Sequence, residues 1–174
     1  FYEKTGLRGA VVSAVDLIKG LGLCAGMEVP DVPGATGNLN TNFEGKAEAA
    51  IDFFRKGGDF VYLHVEAPDE CGHRHEIENK VKAIEAIDAR ILQPIRKVLA
   101  ELGDYRILVL PDHPTPLALR THTHDAVPFI LYDSRESEKG SGLPYSEDTA
   151  EKTGLYIGKG YELIDYFFKN AFTR

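Results

Sequence analysis

The sequence has no tryptophan, a single methionine at Met27, and only two cysteines, Cys24 and Cys71. Two thiols are too few for a disulfide framework and sit most comfortably in a reducing compartment, so a cytoplasmic location is expected. No apolar run approaches the roughly 20 residues that a bilayer span needs, and the opening residues lack the basic, apolar, small-residue order of a signal peptide. No membrane partner is expected on that ground. Positive charge is also scarce: 20 Lys+Arg stand against 27 Asp+Glu, a net charge of -7 that repels a phosphate backbone and argues against nucleic-acid binding. The same acidity suits cations. Because the chain opens at Phe1 and its one methionine is internal, it reads as a fragment.

What is present suffices for a core. At 174 residues and 43% hydrophobic content, one packed domain is expected. Gly9–Val15 is short, apolar and β-branched, as a buried strand should be, and leads through Asp16 into a brief helix ending in Gly20 and Gly22. Met27–Thr41 is dense in turn formers and predicts a loop; Gly45–Lys56 predicts a helix and Asp59–Val65 a strand covered on both faces. Ile77, Ile84, Ile91 and Val98 recur every seven residues, with Val81, Ile95 and Leu102 completing a helical apolar stripe that Pro94 should bend. Tyr105–Leu110 and Val127–Tyr132 predict two further strands, Ser134–Thr153 a mobile polar loop, and Gly160–Lys169 a terminal helix. Alternating strands and helices imply an α/β arrangement with a largely parallel sheet, in which ligands bind beyond the carboxyl ends of the strands.

Chemistry-bearing residues gather at those ends. After the Asp59–Val65 strand, Asp69 and His73 lie four residues apart, a spacing that can grip one metal. After Tyr105–Leu110 come Asp112 and His113, whose side chains, being adjacent, should diverge toward different metals. Before the Val127 strand, His122 and His124 approach the same sheet edge, with Arg120 placed to hold a carboxylate or phosphate. Mixed imidazole and carboxylate ligands suit zinc, manganese or iron better than calcium. His64 reads as a core histidine, His75 as solvent-facing, and Asp88 as a structural partner under the site. Thr115, Thr121 and Thr123 read as turn or supporting residues.

The strings VEAPDECGH, VLPDHPTP and RTHTHDAVPF, in this order and separated by a long helix containing IEAID, resemble the archaeal-type branch of the 2,3-bisphosphoglycerate-independent phosphoglycerate mutases, within the alkaline phosphatase superfamily. GAVVSAVDLIKGLGLCAG and PGATGNLNTNFEGKAEAA are similar too, and the likeness fades only after about Ser134. The resemblance implies an alkaline-phosphatase-like layered α/β fold, with a mostly parallel sheet between helices, of which residues 1–174 are the C-terminal portion. It implies two divalent ions, manganese or zinc: Asp69, His73 and His122 would bind one, and Asp112 with His113 the other. The family's serine nucleophile and a further aspartate come from an N-terminal part with no counterpart here, so the second site should be incomplete. Cys71 stands where the family has a small residue and could offer zinc an incidental thiolate. The implied reaction interconverts 3-phosphoglycerate and 2-phosphoglycerate through a phosphoserine, on a small phosphorylated substrate. Two alternatives stay open: a metal-dependent phosphate, phosphonate or sulfate ester hydrolase of the same superfamily, and a noncatalytic metal-binding module.

Overall fold

A computed structural model describes residues 1–168, so Lys169, placed above in the terminal helix, lies outside the described residues. The chain divides into two compact units: Phe1–Leu102 with Thr115–His122, and Gly103–Pro114 with the chain from Thr123 onward.

The first unit opens with a turn of helix, α1 (Tyr2–Thr5), and then strand β1 (Gly9–Val12), all four residues of which are buried. β1 pairs in parallel with β2 (Phe60–Leu63), Gly9 opposite Phe60 and Val12 opposite Leu63. On its other side β1 makes an isolated parallel bridge from Ala10 to Glu28. Between the strands, α2 spans Asp16–Cys24. This helix runs through Gly20 and Gly22 instead of ending there. A Cβ on Gly22 would lie 2.7 Å from a methyl of Val11, so this glycine lets the helix press against the strand and is not a terminator. Helix α3 (Phe43–Arg55) starts at Asn42, whose side chain accepts a hydrogen bond from the Gly45 N–H at 2.9 Å. Phe43, Ala47 and Ile91 form the buried centre of this unit, packed around by Leu63, Val65, Ile87 and Ile95.

The long helical stretch is three joined pieces: α5 (Ile77–Ala86), a π-helical segment (Ile87–Leu92) and α6 (Gln93–Leu102). The expected distortion at Pro94 takes this form. Proline has no N–H for the Arg90 carbonyl, and the wider turn just before it accommodates that loss. The apolar stripe divides with it. Ile91 is buried and Ile95 packs on the core, whereas Ile77, Val81 and Ile84 are 55%, 51% and 52% exposed. Arg90 ties the segment to α3, donating to both carboxylate oxygens of Glu44 and lying 4.8 Å over the Phe43 ring. Asp88 is exposed and accepts from Gln93 at 3.2 Å, so it does not lie under the site as expected.

In the second unit, β3 (Arg106–Val109) pairs with β4 (Ile130–Asp133), Arg106 opposite Asp133. This pairing is antiparallel, whereas β1 and β2 pair in parallel as expected. No helix links these strands, and a parallel pair would need a crossover. Asp133 is buried and takes hydrogen bonds from Arg106 and Arg135 at 2.6 and 2.7 Å. Ser134–Thr153 is not a featureless loop. It contains a 3-10 segment (Ser134–Lys139) and α7 (Glu147–Lys152), which Ser146 caps and Glu147 and Asp148 suit by charge. A 3-10 turn (Gly160–Glu162) and α8 (Leu163–Phe168) follow.

Candidate metal centre

Past the carboxyl end of β2 the chain turns at Glu66 into α4 (Ala67–His73), with Pro68 in its first turn where no donor is missed. Ala67, Cys71 and Gly72 form the buried face. Asp69 and His73, one turn apart, point together along another face, with side chains 25% and 35% exposed. His73 Nε2 lies 3.3 Å from Asp69 Oδ2.

The third group arrives on the loop Thr115–His122. His122 Nε2 is 3.1 Å from His73 Nε2 and 3.3 Å from Asp69 Oδ1, and its side chain is 51% exposed. One ligand atom from each of Asp69, His73 and His122 falls within 4.8 Å of the others. His73 Nδ1 is 2.9 Å from the Arg120 carbonyl and must therefore be the protonated nitrogen that donates to it. The neutral ring then presents the lone pair of Nε2 toward Asp69 and His122. Separations of 3.1 and 3.3 Å match the roughly 3.3 Å between neighbouring ligand atoms of a tetrahedral ion with bonds of about 2.0 Å. Donor set and spacing both fit a divalent metal ion.

Several neighbours hold this arrangement. Buried Thr115 donates its hydroxyl to Asp69 Oδ1 at 2.5 Å, and its carbonyl accepts from Lys80 Nζ at 2.8 Å. His75 is exposed, as expected, and its Nδ1 also donates to the Leu117 carbonyl at 2.6 Å, so it braces the loop from the surface. Arg120 sits at φ 56 and His75 at φ 57, the two non-glycine residues with positive φ among those described. Arg120 is exposed, and its guanidinium makes no hydrogen bond or ion pair among the described residues; its backbone carbonyl is what touches His73.

Cys71 is buried and outside the convergent group, and burial raises its thiol pKa, which opposes the incidental zinc contact. His64, half-buried just past β2, meets the Ser13 hydroxyl at 3.3 Å from Nδ1, as a bonded core histidine would. Lys46 drew no notice in the sequence. It is fully buried on α3 and donates to the His64 carbonyl at 3.3 Å; burial lowers its pKa, and the charge of Glu66 opposes that shift. Lys46 lies 18 residues before this carbonyl, with β2 between them, so the sequence holds no local signal of the contact.

Asp112 and His113 belong to the second unit, past the end of β3. They do not diverge. His113 Nε2 lies 3.5 Å from Asp112 Oδ2, and the His113 N–H donates to Oδ1 at 3.1 Å, so one carboxylate draws both groups of its neighbour. His124 is exposed.

Comparison with known proteins fits this chemistry. The chain is 50% identical to the 2,3-bisphosphoglycerate-independent phosphoglycerate mutase of Methanosarcina barkeri, over 97% of this chain and 42% of that protein. It is 51% identical to the 2,3-bisphosphoglycerate-independent phosphoglycerate mutase 2 of Methanothermobacter thermautotrophicus, over 98% of this chain and again 42% of that protein. The chain thus spans less than half the length of these curated relatives. A solved Pyrococcus horikoshii protein superposes with a TM-score of 0.83 at 30% identity, covering 97% of this chain and 50% of that one, in agreement with the layered α/β fold. With Phe1 to Tyr161 matching its pattern, this chain belongs to the Metalloenzyme superfamily.

Proposed function

We propose that this chain supplies metal-binding and substrate-positioning residues to a cofactor-independent phosphoglycerate mutase that interconverts 3-phosphoglycerate and 2-phosphoglycerate. The observation that carries the reading is the convergence of Asp69, His73 and His122, in a chain half identical to proteins of that name. Asp69, His73 and His122 would hold one divalent ion, and Asp112 with His113 a second, each manganese or zinc. Such ions neutralise charge on a transferring phosphoryl group and activate the hydroxyl that attacks it.

The chain's own residues do the rest. The Arg120 carbonyl accepts from Nδ1 of His73, which leaves Nε2 as the nitrogen available to a metal. Because the Arg120 side chain is exposed and has no partner among the described residues, it can meet the carboxylate or phosphate of a phosphoglycerate bidentately. The serine that would accept and return the phosphoryl group lies, on this reading, outside these 174 residues, which are the C-terminal part of the catalytic domain. The two free thiols suit a cytoplasmic setting, and the proposed reaction is a glycolytic one.

A coupled assay of 2-phosphoglycerate formation tests it, with the whole protein and this chain side by side. Turnover should require the whole protein and a divalent ion, and should be lost in whole-protein Asp69→Asn. Hydrolysis of phosphate, phosphonate or sulfate esters without mutase turnover would move the function to the hydrolases of the superfamily. Robust turnover by this chain alone, abolished by Thr115→Ala while metal binding persists, would make Thr115 the nucleophile and overturn the assignment.

A further inference from the structure

We propose that Thr115 is a positioning residue of the metal centre, setting its affinity by fixing the Asp69 carboxylate, with Lys80 anchoring it from α5; this rests on reading Asp69, His73 and His122 as ligands. Thr115 is committed at both ends. Its hydroxyl donates to Asp69 Oδ1 at 2.5 Å, and its carbonyl accepts the Lys80 ammonium at 2.8 Å. The residue is buried, and as a β-branched side chain it has few χ1 alternatives, so the hydroxyl cannot turn elsewhere cheaply. Oδ1 is also the oxygen 3.3 Å from His122 Nε2. A donor on that oxygen fixes the plane of the carboxylate before any ion arrives, which removes part of the ordering cost of binding.

The rest of the loop is held in the same manner. Its carbonyls at Thr115, Leu117 and Arg120 accept from Lys80, His75 and His73, three side chains of the stretch that also carries Asp69. A Cβ on Gly72 would come within 2.7 Å of the Thr115 carbonyl oxygen, so glycine on α4 is what admits the loop at this distance. Packing alone would be served by any small apolar residue at position 115. A buried hydroxyl aimed at the carboxylate is better explained by orientation of the ligand.

The test uses the 174-residue chain. Zn2+ binding is measured by calorimetry and Co2+ binding by visible absorption, in wild type, Thr115→Val, Thr115→Ser, Lys80→Met and Asp69→Asn, with thermal unfolding of each metal-free protein. Thr115→Val keeps the shape and removes the donor, and should weaken binding by about 10–100-fold, the usual effect of an outer partner. Thr115→Ser should restore most of it, and Lys80→Met should weaken binding less than Thr115→Val. A purely structural role would lower the unfolding temperature of Thr115→Val while leaving the affinity of the folded protein unchanged, and that result overturns the proposal. Should Thr115→Val fail to fold, unchanged affinity in folded Lys80→Met overturns it instead. If Asp69→Asn binds as tightly as wild type, the ligand assignment itself fails and the inference falls with it.

Discussion

At the scale of single residues, the candidate site divides into what spacing can announce and what it cannot. Asp69 and His73 share a helix face through an interval of four, a relation visible in sequence. His122 is 49 residues from His73, and its part was suggested by its neighbours in a string, not by periodicity. Lys80, His75 and the role of Thr115 rest on contacts across 35 to 46 residues, for which one sequence holds no physical signal. The two histidines of THTH make a sharp comparison. His122→Ala should reduce Zn2+ affinity of the chain by more than the roughly 10–100-fold loss expected for an outer partner, while His124→Ala should leave calorimetric titrations unchanged. Equal losses would show that the loop, and not His122, governs binding. Asp133 offers a residue-scale prediction about acid. Hydrogen bonds from Arg135 and then Arg106 hold its carboxyl far below the ordinary range in the folded state. A depressed folded pKa gives stability that is complete above the unfolded value, near 3.9, and is lost as pH falls through the folded one. Urea midpoints should therefore drop below about pH 4, and Asp133→Ala should flatten that part of the profile while costing about 3 kcal/mol at neutral pH by stranding Arg106. A profile as steep in the variant as in wild type would assign the acid sensitivity to other carboxylates.

At the scale of elements, the strands and helices follow their local patterns, and the departures have identifiable causes. β1 and β2 lie within the residues whose apolar character announced them, α3 starts two residues ahead of the expected Gly45, and the stretch from Ile77 to Leu102 is helical throughout with its distortion just ahead of Pro94. β3 and β4 run antiparallel beside a parallel β1–β2 pair, because pairing direction depends on the connection, and Leu110–Phe129 carries no helix. α7 was missed although Ser146, Glu147 and Asp148 are ordinary starting residues for a helix, because the polar residues after it gave no apolar stripe. Helix α2 shows a limit of another kind, since Gly20 and Gly22 look alike in sequence. A Cβ at Gly20 meets nothing within 4 Å, whereas one at Gly22 meets Val11 at 2.7 Å. Gly20→Ala should thus stabilise the chain by about 0.5–1 kcal/mol through helix propensity, and Gly22→Ala should destabilise it by about 1–3 kcal/mol through overpacking. Denaturant unfolding of the two variants checks this, and a stabilising Gly22→Ala would mean that α2 shifts freely away from β1.

At the scale of the whole chain, the candidate metal centre joins segments distant in sequence, since α4 and the loop ending at His122 are separated by the entire α5–α6 stretch and by β3. An ion held by Asp69, His73 and His122 would act as a crosslink that the unfolded chain cannot form with comparable affinity, so binding must raise stability by linkage. At a free concentration one hundred times the dissociation constant, the gain should be about 2.7 kcal/mol, reversed by a chelator. Its distribution is as informative as its size. An ion so held would bond directly to α4 and to the loop Thr115–His122, so slowed amide exchange should concentrate in those segments, with lesser gains in α5, which Lys80 connects to the loop. Helix α2 makes none of these bonds and should gain little beyond the global shift. Hydrogen exchange read peptide by peptide, with and without Zn2+ and in wild type against Asp69→Asn, resolves the pattern. Protection rising equally in the variant, or appearing first around Asp112 and His113 while α4 stays unchanged, would place the tighter ion elsewhere and remove the basis for reading Asp69, His73 and His122 as its ligands.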